Sequence, residues 1–289
     1  MNKLTSTIED TSATSKIESF NGILERELMK RNVCKKMSPL ILSLSVNPNS
    51  GYNTMKQIRD RFHIDVGPSK VHPKLKHLEK MGYIIRQKDP HSPKNRKTHV
   101  MSSEGENFFL AYLEADKRIL TYATHLPIQP KIFDKKIENG LMKKLLRDCA
   151  LNEAELLVLN SLMDGPNHSF GIIKNIEKGI DIHLYNSTVE PILSDLLKRR
   201  TIDFDEPGCP ECGKPPGWRY EDGRWKLIYK IKPYGEFYLR TGIKSAFDLL
   251  GFMANSFMGQ KGEEFDVAEW LYLRPKPPET KKPYVIEVE

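Results

Sequence analysis

Cysteine is scarce in this chain of 289 residues, at four, and no run of eighteen apolar residues occurs anywhere. So few cysteines cannot form a disulfide framework for a chain of this size. No membrane-spanning helix is expected without such a run, and the segment MNKLTSTIEDTSATSK holds no apolar core of a secretory signal. These absences lead to the expectation of a cytoplasmic protein. Also missing are a phosphate-cradling glycine-rich loop, an H-E-x-x-H pair and a nucleophile elbow, so no enzymatic activity is expected.

Acidic residues are scarce in one region only. The whole chain carries a net charge of +7, but residues 31–103 alone carry +11, with Asp60, Asp65, Glu79 and Asp89 as their only acids. The flanking segments are close to neutral: −1 for 1–30, +1 for 104–149, −2 for 150–233 and −2 for 234–289. An ordinary solvated surface interleaves both signs, and a segment this one-sided repels itself unless a polyanion is near. Nucleic acid is the expected partner.

The chain also contains two copies of one unit. Residues 40–84 match 158–202 without a gap at an offset of 118, with Lys56/Lys174, Ile64/Ile182, Val71/Val189, Pro73/Pro191, Leu75/Leu193, Leu78/Leu196 and Ile84/Ile202 among the identities. Two copies at so long a spacing indicate domain duplication and not a stacked solenoid.

Each copy predicts three helices and a two-stranded ribbon. In the first, Ser38 and Pro39 predict a capped helix start, with Leu40, Ile41 and Leu44 as its apolar stripe and Asn47-Pro48-Asn49-Ser50-Gly51 as its end. A second helix is expected over about 52–62, facing inward through Met55, Ile58 and Phe62. A third starts near Ser69 and buries Val71, Leu75 and Leu78, with Pro73 in or beside its first turn and Gly82 just past its end. Residues 83–86 and 98–101 then read as strands around a turn-rich tip. The pattern is that of a winged helix-turn-helix.

At Gly51-Tyr52, the run Ser69-Lys70-Val71-His72-Pro73-Lys74-Leu75-Lys76-His77-Leu78-Glu79, Gly82-Tyr83-Ile84 and Ser102-Ser103-Glu104-Gly105, the chain resembles the PadR-like group of winged-helix transcriptional regulators. The resemblance covers the first copy and more weakly the second. It departs at His72, where that group usually has tyrosine, and at Thr98-His99-Val100, where it has an arginine followed by two aromatics. It implies a winged-helix fold and binding to double-stranded DNA.

In a helix-turn-helix the third helix enters the major groove and flanking elements hold phosphates. Ser69, Lys70, His72 and Lys74 are assigned to base edges. Lys76, His77 and Lys80, with Arg86, Lys88, Lys94, Arg96 and Lys97 of the wing, are assigned to the backbone. The third helix of the second copy carries Glu190 and Asp195 and reads as a poor groove reader, suited to assembly or partner contact. Its wing is longer and holds Cys209-Pro210-Glu211-Cys212-Gly213, which looks like one knuckle of a zinc ribbon and so half of a four-ligand site, before an expected strand at 225–231. Zinc with further ligands from histidines, Cys34, Cys149 or another subunit, a Cys209–Cys212 redox pair, and an inert turn all remain open.

Ser103-Glu104-Gly105-Glu106 fits a capping box, and the helix after it bears an apolar stripe from Phe108 to Tyr122 too broad for one small domain. A homodimer paired through this helix, or a pseudo-symmetric monomer in which it meets the second copy, would cover it. A helix at Ile17, Phe20, Leu24 and Leu28, another over 233–258 and an extended tail with Trp270-Leu271-Tyr272 complete the chain.

The expected fold is mainly α (α+β): two tandem winged helix-turn-helix domains with additional linker and C-terminal helices. The divisions are a tail and helix at 1–32, a DNA-binding winged helix at 33–103, connecting helices at 104–149, a second winged helix at 150–233, and a helix and tail at 234–289. The expected function is DNA-binding transcription regulation in the nucleoid. The alternatives are a winged-helix adaptor that binds protein partners with only non-specific DNA affinity, and a sensor with a small-molecule effector among the aromatics of 108–122.

Overall fold

A computed structural model describes residues 22–88, 97–124, 139–205, 218–221 and 224–262. The chain is mainly helical. The first half runs α1 (22–35), α2 (Met37–Ser43), α3 (Gly51–Phe62), α4 (Pro68–Lys80), β1 (Ile84–Lys88), β2 (Lys97–Met101) and α5 (Ser103–Ala123). The second runs α6 (Asn139–Asn152), α7 (Ala154–Asn160), α8 (Ser169–Ile180), α9 (Asn186–Lys198), β3 (Ile202–Phe204), β4 (Trp218–Glu221), β5 (Arg224–Leu227), β6 (Tyr229–Ile231) and α10 (Pro233–Lys261). Among the described residues, no helix is long and apolar enough to cross a membrane.

The duplication extends beyond what sequence identity revealed. α3 and α8, and α4 and α9, correspond residue for residue at the 118 offset, and α5 and α10 begin at Ser103 and Pro233, 130 apart, because the second ribbon is twelve residues longer. Backbone details repeat as well. His63 and Asp181 both end their helices in the left-handed region, at φ 54° and 57°, and Gly82 and Arg200 do the same after α4 and α9. Asn49 bridges to His99 as Asn167 does to Tyr229. At Gly105 and Gly235 any Cβ would collide with a backbone carbonyl, of Tyr83 and of Thr201 respectively. The long helix of each half can lie against its own ribbon only through glycine there.

Several local expectations are corrected. Ser38 is not a cap: α1 runs almost directly into α2, with Lys36 between them donating back to Asn32 O at 2.9 Å and accepting from Leu40 N at 3.0 Å. The second and third helices begin one residue early, at Gly51 and Pro68, and the first strand one late, at Ile84. Pro73 lies in the second turn of α4 and not beside the first. The cap of α5 is Ser102, not Ser103; its hydroxyl accepts from the Gly105 amide at 3.0 Å and donates to the Gly82 carbonyl at 2.6 Å. The single strand expected at 225–231 is divided at Ile228, with β5 paired to β4 and β6 to β3.

Each half supplies the helix that closes the other. α5 packs along α6, while α10 lies on α1, where Asn32 donates to Ser245 at 3.1 Å and Lys244 pairs with Glu25 at 3.0 Å. α5 and α10 meet through Phe109 and Phe257, with ring centroids 5.1 Å apart. Tyr122 on α5 reaches α8 by a hydrogen bond to the Asn175 carbonyl, and its counterpart Phe252 on α10 packs edge-on against Phe62 of α3. The broad stripe of α5 is thus covered within the chain.

One interior cluster breaks this symmetry. Lys36 is fully buried, with Nζ 2.6 Å from Asp116 Oδ2 and 2.9 Å from Glu153 Oε1. The positions equivalent to Lys36 and Asp116 are Ala154 and Ala246, and that of Glu153 is Lys35, whose ammonium donates to the Asn152 carbonyl. A second ionic group joins α1, α7 and α9: Glu155 receives Arg31 and Arg199. Although burial pushes the Glu155 carboxyl up, the two guanidiniums hold it below its ordinary range.

Candidate nucleic-acid interface

α4 begins at Pro68, whose fixed φ suits the first helical position and whose missing N–H is an unpaired donor there in any case. Val71, Leu75 and Leu78 sink into the core at helical spacing, which turns the remaining positions outward. Ser69, Lys70, His72, Lys74, Lys76, His77 and Lys80 are all exposed, and Glu79 is half-buried. Lys70 also lies 3.4 Å from Cys34 Sγ on α1.

The ribbon brings further cations to the same side. β1 and β2 pair antiparallel, with Arg86 opposite His99 and Lys88 opposite Lys97. Directly opposed residues share a face of the ribbon, and since Ile84 and Met101 occupy that face at its base, Arg86, His99, Lys88 and Lys97 continue along it. Two lysines directly opposite repel each other, an arrangement that lowers stability unless an anion sits between or above them. Arg86, Lys88 and Lys97 are exposed. Lys94 and Arg96 lie outside the described residues.

Where α4 meets the ribbon there is a cleft of about 440 Å³, lined by Gly51, His72, Leu75, Lys76, Glu79, Arg86, Lys97 and His99. His99, which the sequence reading did not single out as a site residue, is only 9% exposed, and its Nδ1 makes no hydrogen bond. Burial pushes its pKa down; Glu79 opposes this, while Arg86 and His72 add to it. Its backbone pairing with Asn49 fixes its place at the cleft wall. The signal that could have located it was register: once Arg86 is placed on the cleft side, its cross-strand partner must be there too.

The second half presents a different surface. Along α9, Asn186, Ser187, Glu190, Ser194, Asp195 and Lys198 are exposed, so acids and neutral groups stand where α4 has cations. Arg199 turns inward to Glu155 and to Asp195 at 2.6 Å. Phe170 and Tyr185 are exposed, Phe170 beneath the Lys174 ammonium and Tyr185 beside His183.

Cys209 and Cys212 lie outside the described residues. Cys149 is buried beside the Lys36 cluster, and its thiol is pushed well up, by burial first and by Asp116 next. Among the described residues, no cluster of three or more histidine, cysteine, aspartate or glutamate side chains could hold a metal ion. The aromatics of 108–122 are taken up in packing: Phe108 stacks on Tyr83 at 4.5 Å, Phe109 meets Phe257, and Tyr122 bonds α8.

No protein-family model matches the sequence, and no curated protein matches it either.

Proposed function

We propose that this chain is a DNA-binding transcription regulator made of two tandem winged helix-turn-helix units, similar to the PadR-like regulators, in which α4 and the β1–β2 ribbon of the first unit grip double-stranded DNA. The observation that carries the reading is the concentration of exposed cations on α4 and the facing ribbon, including the opposed Lys88 and Lys97, none of which is ion-paired to another described residue. A polyanion relieves that arrangement, and a helix flanked by a basic ribbon suits a major groove and its phosphates. The covering of α5 and α10 within the chain supports a pseudo-two-fold monomer that occupies its target alone.

The test is a mobility-shift titration with a selected DNA fragment at several salt concentrations. Lys74→Ala combined with Lys76→Ala is expected to weaken binding and to reduce the slope of log affinity against log salt by about two, one for each lost phosphate contact. Unchanged affinity and slope would refute the assignment. The cation-poor face of α9, with exposed Phe170 on α8 and Tyr185 just before α9, favours a protein-contact role for the second unit, which is the adaptor reading confined to that half.

A further inference from the structure

The cleft between α4 and the ribbon has a wall that a duplex backbone does not reach from outside. Phosphates of a duplex lie along the outside of a wide rod and meet side chains that project from a surface, as Lys74, Lys80 and Lys88 do. His99 cannot be met in this way: it is nine-tenths buried, forms the cleft wall, and leaves its Nδ1 without a hydrogen bond. Buried polar atoms are nearly always satisfied, and this one is left without a partner in a side chain that walls the cleft. The volume of about 440 Å³ lies within the ~300–1,000 Å³ of small-ligand sites.

The lining specifies the chemistry of that ligand. Lys76, Arg86 and Lys97 bring three fixed positive charges against the single carboxylate of Glu79, with the imidazoles of His72 and His99 as further donors. The excess of two matches a phosphomonoester, which carries about −1.5 to −2 at neutral pH. Leu75 and the bare backbone of Gly51 add apolar wall, and a Cβ at residue 51 would stand only 3.1 Å from Leu75 Cδ1 and 3.3 Å from His72 Cε1.

We propose that this cleft binds the terminal phosphate of a small organic phosphate, with Arg86, Lys97 and Lys76 on its oxygens, His99 donating from beneath, and the organic part against Leu75 and Gly51. Because Lys76, Arg86 and Lys97 also belong to the proposed DNA grip, ligand and DNA compete for them. That competition rests on the DNA reading; the phosphate site does not.

The experiment is calorimetric titration of the full chain with AMP as probe and adenosine as control, together with NMR of the histidine imidazoles. AMP is expected to bind and adenosine not. Arg86→Ala should weaken AMP about tenfold or more, the loss expected for a hydrogen bond to a charged group. Lys143→Ala, an exposed lysine on α6 away from the cleft lining, should leave AMP affinity unchanged. AMP should shift the His99 resonances toward the protonated form, as a dianion cancels the excess positive charge left by Lys76, Arg86 and Lys97 against Glu79 and so favours the imidazolium, while exposed His77 stays where it is. Absence of AMP binding, equal affinity in the Arg86→Ala variant, or a still His99 would each overturn the proposal. If a DNA duplex moves His99 and AMP does not, the phosphate comes from the backbone and the free-ligand site is overturned. If AMP binds through His99 and no DNA binds, the phosphate site stands and the DNA reading falls.

Discussion

Lys36 and Asp116 meet in an interior that offers them no water. Two carboxylates, Asp116 and Glu153, face one ammonium there, and an ion so placed costs several kcal/mol unless it is neutralised. The ammonium keeps its charge, and the strain falls on Asp116, where burial, with Glu153 adding and Lys36 opposing, pushes the carboxyl from 3.8 up to about 6. The sign follows from proton uptake: between those two values the folded chain holds a proton that the unfolded chain has given up. This contribution to stability is present at low pH and is lost as pH rises through about 6. Asp116→Asn cannot lose that proton, so its melting temperature relative to the natural chain is expected to rise between about pH 4 and pH 6.5 and then level off. Thermal unfolding across that range checks it, and a constant difference would remove Asp116 from the account. None of this was legible in the sequence. Periodicity marks Val71, Leu75 and Leu78 as buried, and charge counting marks the cations of α4, because both properties are local. Nothing local says that residues 36, 116 and 153 converge, or that His99 turns into a cleft.

Elements were legible where a repeating side-chain pattern dictated them, and their ends were misread where a neighbouring segment decided. The sequence offers two serines at the start of α5, and the capping-box pattern selects Ser103. The fold selects Ser102, because residue 105 must press against the Tyr83 carbonyl and the helix can begin only one residue earlier. Likewise the division at Ile228 is a change of partner strand, which alternation along one strand does not encode. The close approach at the start of α5 can be tested twice in one molecule. Gly105→Ala and Gly235→Ala each force a methyl into a backbone carbonyl, and each is expected to cost about 1–3 kcal/mol in urea unfolding with an unchanged denaturant slope. Gly140→Ala, with open space around it, should be neutral or slightly stabilising. A cost confined to one of the first two would mean that the ribbon contacts are less alike than their geometry.

The whole molecule is a pair of halves that cannot be separated. A fragment ending at residue 124 would lose α6 and α10 and bare Phe109, Leu113 and Leu120. Two such fragments cannot restore the lost cover by pairing, since the position of Glu153 would be filled by a second Lys35 beside the buried Lys36. The fragment is therefore expected to lack a cooperative urea transition, whereas the full chain should sediment as a monomer. A folded, dimeric fragment would show that the asymmetric cluster is dispensable. The same fusion has a consequence for orientation. A binder with true two-fold symmetry looks the same from upstream and downstream, and so cannot distinguish one flank of its target from the other. Here one half carries a short cationic ribbon and the other a ribbon twelve residues longer beside a helix poor in cations. Seated on a duplex, such a chain points, and whatever it recruits or blocks lies on one side only.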